Sequence, residues 1–379
     1  MLRKTCWIAS AVALGSTLAF AGTAQADTMD PALARLVIDP LCRTQGASGG
    51  LYYNPASKFG RCQTDDAAFA KLIAQYGAAI APSGMHTART TGYGGFELAL
   101  EANYTSIDKD AAFWKAGTEG GQDSSTKRFS VSNPSPDPVL QSYALKIRKA
   151  LPLGIELAGQ FGFLGNTSIY TIGADVRFSP FEGFRTGIPK WFPEITVSGS
   201  VRTITGTDQF QLTVVGVDGV ISKPFSIGGS VSLTPYVGYQ WIRIFGDSGL
   251  IDLTPNTDAV NFCGYAGSNN PATPDANKPN FDGQPVCAHG TSADFNNTAV
   301  FNAVRLSRHR IPAGLQLRLQ MVRIGAHFVM DVMSPEEANK GADYETKKPN
   351  PDGGADITEN LFKGVGKQWT VGIDFGAIF

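Results

Sequence analysis

Along most of this chain apolar residues recur at every second position, and the run closes on the final residue, Phe379. A period of two belongs to an extended strand with one apolar and one polar face. Phe96, Leu98, Leu100, Ala102 and Tyr104 alternate with Glu97, Ala99, Glu101 and Asn103, and nine later segments repeat the pattern: 143–148, 155–163, 170–178, 195–201, 210–221, 231–241, 311–321, 324–332 and 369–379. Near Val214 and Val215 the phase slips, which predicts a bulge. The ten segments predict an all-β fold, a transmembrane antiparallel up-and-down β-barrel. Twelve to fourteen strands result if parts of the long loops, such as 299–304, also pair.

Composition separates this from a soluble sandwich, which would also alternate. Hydrophobic residues make up 42% of the 379 positions, charged residues only 17%, and 43 are glycine. No run after the first thirty residues is apolar for the roughly 18–20 positions a membrane helix needs. The formal net charge of −1 argues against a nucleic-acid partner held by bulk electrostatics. With the N-terminus in the periplasm, the connections at 149–153, 180–193, 223–226 and 321–323 share one end and are fairly short. The long ones, about 108–137, 247–298 and 334–366, share the other, as bacterial barrels prefer.

Residues 1–26 read as a secretory signal peptide: Arg3 and Lys4, an apolar stretch over 7–20, then Ala24-Gln25-Ala26 before Asp27. Residues 27–90 do not alternate. A short helix is predicted over 31–38 and a clearer one over 65–77, where Phe69, Leu72, Ile73 and Tyr76 form one face. Thr64 or Asp65 can cap its start and Gly77 its end. This small helical segment is expected to plug the lumen or rest in the periplasm, with the barrel over 91–379.

Four cysteines remain after the signal. If the N-terminal segment stays at the periplasmic end, only Cys42–Cys62 and Cys263–Cys287 can pair, because Cα atoms must come within about 7 Å and the apolar band is about 25 Å tall. No zinc-type spacing and no phosphate-cradling loop appears, so no metal and no cofactor is expected.

The run Trp369-Thr-Val-Gly-Ile-Asp-Phe-Gly-Ala-Ile-Phe379 resembles the assembly signal of bacterial outer-membrane barrels. That resemblance implies a Gram-negative outer membrane and insertion by the barrel-assembly machinery, with Trp369, Phe375 and Phe379 on the lipid face. Tyr52-Tyr53-Asn54-Pro55-Ala56 is similar to the N-terminal plug motif of FadL-type hydrophobic-compound transporters, whose barrels have fourteen strands.

Strand parity points Glu97, Glu101, Glu156, Asp175, Asp218, Asp331 and Asp374 inward with Lys146, Arg148, Arg177, Arg202, Arg318 and His327. Arg148 should lie near Glu97 and Lys146 near Glu101. Mixed charges at matched heights predict a mutually paired lumen, whereas an ion-selective pore presents a ring of one sign. His327 and Asp331 share a face and could activate a water, but no nucleophile motif accompanies them. Hydrogen bonding within the lumen is the expected role of His327. Arg305, Arg308 and Arg310 precede the eighth strand near the outer headgroups, where lipopolysaccharide phosphates would attract guanidinium groups. The functional expectation is a passive or gated conduit for a small molecule. The alternatives are a non-conducting surface-binding barrel and an outer-membrane hydrolase; outer-membrane lipids are partners in each case.

Overall fold

The computed structural model describes residues 27–45, 51–53, 62–83, 86–121, 132–181, 189, 191–227, 231–253, 263–265, 285–287, 298–348, 350 and 355–379. Residues 1–26, expected to form a signal peptide, and Asn54-Pro55-Ala56 lie outside them. The ten strands are β1 (Phe96–Ser106), β2 (Val139–Ala150), β3 (Ile155–Leu164), β4 (Tyr170–Phe178), β5 (Glu194–Thr205), β6 (Phe210–Ser222), β7 (Val231–Ser248), β8 (Val304–Leu319), β9 (Val322–Asp331) and β10 (Trp369–Ile378). Each pairs antiparallel with its sequence neighbours, and β10 closes on β1 through Thr370↔Thr105 to Ile378↔Glu97. Phe96 and Phe379 exchange backbone hydrogen bonds at the seam. Leu100, Phe161, Val176, Val217, Ile373 and Phe375 face outward and exposed, while charged partners face inward and buried. That inversion is what a transmembrane β-barrel requires, since a closed sheet leaves no unpaired edge in lipid. Trp369 and Phe379, at opposite ends of the last strand, are also exposed.

The short connections after β2, β4, β6 and β8 define the turn end, and the long loops define the other. In bacterial barrels the turns face the periplasm. Strand β8 reaches seven residues further toward the loop end than the sequence pattern indicates, and β7 extends equally to Ser248. No bulge interrupts β6 at Val214; its burial alternates regularly and its register with β5 and β7 is continuous. The apparent slip arises because Phe210, Leu212 and Val214 are apolar on the inward face, where they meet a helix rather than water.

That helix is α1, Asp66–Ile80, with Asp65 capping its start by accepting from the Ala68 amide. The predicted stop at Gly77 does not occur. Gly77 is helical, and a Cβ there would stand 2.6 Å from Ile244 Cγ2, so glycine serves close approach to the wall. The chain leaves the helix at Ala81 instead, just before Pro82. The predicted helix over 31–38 is reduced to one 3-10 turn, Leu33–Arg35.

Residues 27–45 do not rest at the turn end. The Met29 amide donates to the Asn166 carbonyl between β3 and β4, and Gln209, between β5 and β6, donates to the Pro31 carbonyl. Both connections lie at the loop end. The N-terminal segment therefore stands at the opposite end of the barrel from the periplasmic position expected when its cysteines were paired. Cys42 and Cys62 are nonetheless bonded, with Cα atoms 5.2 Å apart. Cys263 and Cys287 are Cα partners in a two-stranded ladder, and their side chains lie outside the described residues.

Candidate functional site

The lumen is occupied along its length by residues 62–83 and 86–95. Residues 62–80 sit at the loop end, and the backbone then descends through the barrel to start β1 at the turn end. Gln240 on β7 donates to the Pro82 carbonyl at 2.9 Å. Further down, Arg177 donates to the Thr87 carbonyl at 2.7 Å, Ser222 accepts from the Ala88 amide at 2.9 Å, and Glu156 accepts from the Thr91 amide at 3.0 Å.

Toward the turn end the descending segment is ringed by charge. Arg148 donates to Glu97 at 3.0 Å and to Glu156 at 2.5 and 2.8 Å. Arg177 donates to Glu156 at 3.0 Å, and Arg323 bridges Glu97 at 3.0 Å and Asp374 at 2.6 Å. One level up, Lys146 lies 3.0 Å from Asp175 and 3.7 Å from Glu101, while Arg202 lies 2.6 Å from Asp175. His86, from the threaded segment, completes that level: its Nε2 is 2.5 Å from Lys146 Nζ and 3.7 Å from Glu101. Ser198 donates to Asp218 at 2.5 Å. Glu97, Glu101, Glu156, Asp175, Glu194, Asp218, Asp331 and Asp374 are buried against Lys146, Arg148, Arg177, Arg202, Arg308, Arg310 and Arg323. Signs alternate around the wall, so no single-sign ring lines a path.

Above this the lumen becomes an ordinary protein core. Phe69, Ile73, Tyr76 and Ile80 of α1 pack on inward Leu140, Phe210, Val214, Ile242, Ile244 and Leu306. The described parts of the loops pack over the top. Trp114, on α2 (Ala112–Gly117), packs on Tyr76 with ring centroids 5.0 Å apart and the planes tilted by 49°, and donates to Gln75 at 2.6 Å. Phe301 packs 4.8 Å from Phe69, Lys348 pairs with Asp65 at 3.0 Å, and Lys71 with Glu359 at 3.4 Å. Tyr76 donates to the Met29 carbonyl, and burial pushes its phenol pKa up. Burial likewise raises the Glu119 carboxyl, in the loop after α2, against the opposing pull of Arg35.

Several expected sites fall elsewhere. Arg308 and Arg310 lie within β8 and face the lumen, buried, so neither reaches lipopolysaccharide. Arg308 is 2.9 Å from Asp331 and also donates to Gln368 and to the Ala74 carbonyl of α1. Only Arg305 faces outward, 2.8 Å from Asp247 and over the Phe245 ring. The His327–Asp331 pair does not form. Asp331 is held by Arg308 and the Gln368 amide, and the two His327 ring nitrogens have no hydrogen-bond partner among the described residues. Arg318 is half-buried at the turn end, donating to the Gln320 carbonyl.

His86 and Arg323 were missed by sequence reasoning. The sequence pattern places Arg323 in the turn after β8, but the turn is only Gln320 and Met321, which makes Arg323 the second residue of β9. His86 has no periodic context, and no local pattern could place it in a lumen. Two cavities lined by lumen side chains measure about 20 Å³, beside Lys146, Asp175 and Arg202, and about 40 Å³, beside Arg89, Glu194 and Arg318. The first has room for one water and the second for about two or three.

No protein-family profile matches the chain, and no curated protein matches it in sequence. Among solved structures it is similar to Ail, the attachment invasion locus protein of Yersinia pestis, at 12% identity and a TM-score of 0.23, over 76% of this chain and 100% of that one. The N-terminal β-barrel domain of Pseudomonas aeruginosa OprF is similar at 10% and 0.23, over 75% and 97%. Acinetobacter baumannii outer membrane protein Omp33 is similar at 10% and 0.23, over 76% and 98%. At TM-scores this low the likeness adds nothing to what the closed sheet already shows.

Proposed function

We propose that the protein is a closed outer-membrane barrel whose working face is its outer surface, where the N-terminal cap (the described residues of 27–80) and the described parts of the long loops form one packed unit. The observation that carries this is the filled lumen. Residues 62–83 and 86–95 run through it between cap and first strand, hydrogen-bonded to the wall at several heights. A solute would have to displace α1, with its apolar face buried on the wall, and separate the ion pairs below. Each large apolar side chain withdrawn from that core costs about 1.5–3 kcal/mol, and each buried pair that is broken costs about 3–5 kcal/mol.

A gated conduit is the second reading. It is favoured by the charged lower lumen, since a barrel filled only for rigidity is at least as stable with apolar contents. Planar-bilayer conductance of the refolded mature protein, with folding checked by heat-modifiable gel migration, separates the two. A closed scaffold gives a silent bilayer. Steady conductance of the intact mature chain would overturn it in favour of the conduit.

A further inference from the structure

The backbone nitrogen of Asp27 donates to Asp30 Oδ2 at 2.9 Å. Asp30 is only 6% exposed, and its other oxygen accepts from the Ser168 amide at 2.6 Å and the Ser168 hydroxyl at 2.9 Å, in the connection between β3 and β4. A buried carboxylate held ionised by donors on both oxygens calls for a cation. Among the described residues neither Asp27 nor Asp30 has one, because the guanidinium at this turn, Arg35, is paired with Glu119 at 2.5 Å. Burial and the neighbouring Asp30 charge push the Asp27 carboxyl up. The other titratable groups here are committed elsewhere: the Tyr76 phenol of α1 donates to the Met29 carbonyl, and Asp137 accepts from Asn166 at 2.6 Å.

We infer that the missing cation is the α-ammonium created by signal-peptide cleavage between Ala26 and Asp27, and that its ion pair with Asp30 fastens the cap at the loop end only after processing. The inference rests on the cleavage point expected from Ala24-Gln25-Ala26 and holds for either reading of the lumen. In the precursor the Asp27 nitrogen is a neutral amide. Hydrolysis adds one water across the Ala26–Asp27 bond, leaving a carboxylate on Ala26 and an amine on Asp27 that is protonated near neutral pH. The atom that gains the charge already faces Asp30. The pair closes a turn in which the Asp30 amide also donates to the Asp27 carbonyl at 3.0 Å. That turn joins cap to loops: the Thr28 carbonyl accepts from the Gly120 amide and the Asn133 side chain, both at 2.9 Å, and the Asp30 carbonyl from the Glu119 amide at 2.9 Å. Chain length gives the same order of events. The leader's apolar stretch ends at Phe20, and the seven residues to Asp27 span at most about 25 Å when extended. That is no more than the barrel's apolar band, of about 25 Å, with the periplasm still to cross, so a leader held in the inner membrane cannot deliver Asp27 to the loop end.

The test compares refolded mature protein beginning at Asp27 with protein that retains Ala26, each alone and with Asp30→Asn. Retaining Ala26 keeps the Asp27 amide and its hydrogen bond but moves the ammonium one residue away, about 3.8 Å, which separates the charge from the fold. Limited proteolysis of the cap near neutral pH should be about tenfold slower for the chain beginning at Asp27, the margin of an ionic over a neutral hydrogen bond. That advantage should vanish in the Asp30→Asn pair. It should be complete below the ordinary α-amino range of about 7.7–8.0 and lost as pH rises beyond it, because the folded cap favours the ammonium. With Ala26 retained, cleavage should not change in that window. If Asp30→Asn opens the cap outright, the pH profiles of the two unsubstituted chains decide. Equal cleavage of those chains, an advantage that survives Asp30→Asn, or protein from membranes whose first residue is not Asp27 would each overturn the inference.

Discussion

Gly77 of the lumen helix lies against Ile244 of β7 so closely that even a methyl group would stand 2.6 Å from Ile244 Cγ2. The contact fixes how deeply α1 seats in the wall. Gly77→Val should therefore destabilise the cap by about 1–3 kcal/mol through overpacking, despite leaving the helix interior without glycine. Limited proteolysis of the cap in folded protein should show faster cleavage, and Ile244→Ala in the same chain should restore much of the protection. Equal protection in Gly77→Val and wild type would mean that the helix is not seated against β7 as described.

The Arg308–Asp331 pair, 2.9 Å apart and buried, ties β8 to β9 beneath α1. Asp331→Leu alone leaves a buried guanidinium without its carboxylate and should cost about 3–5 kcal/mol, whereas Arg308→Leu/Asp331→Leu should recover most of it. Urea unfolding followed by loss of heat-modifiable migration measures both. A double variant as unstable as the single one would show that Gln368 and the Ala74 carbonyl, rather than Asp331, determine what Arg308 contributes.

The Cys42–Cys62 bond closes a loop of 20 residues in the cap, not in the barrel. Replacing both by serine should cost the cap about 3 kcal/mol and leave the barrel's heat-modifiable migration intact. Thermal scans with a cap-specific protease readout are expected to show the cap opening before the barrel unfolds. A single transition lowered as a whole would indicate that cap and barrel fold as one unit.

Asp27 lies at the loop end, because the residues after it are bonded to the connections between β3 and β4 and between β5 and β6. An epitope inserted just after Asp27 should be reached by antibody on intact cells, while one placed in the turn between β2 and β3 should require permeabilised cells. The reverse result would invert the barrel in the membrane.

The ten strands, their lipid faces and the pairing of Arg148 with Glu97 were legible in the sequence, for one physical reason. In a membrane barrel each residue's environment is set by its parity, so lipid and lumen write their demands alternately along the chain. Parity extrapolated through a whole strand also reads Arg308 and Arg310 correctly. They were misplaced because the strand's loop-end half faces a protein core, and its apolar inward residues, Val304 and Leu306, blur the alternation.

What the sequence by itself determined is therefore the membrane-facing surface, where solvent imposes a local rule on each position. Only the tertiary structure decided what fills the barrel. The seat of α1 at the loop end and the descent of His86 into the Lys146–Glu101 level depend on contacts between residues far apart in the chain. No period or motif encodes such contacts. They follow from which side chains fit together once the sheet has closed.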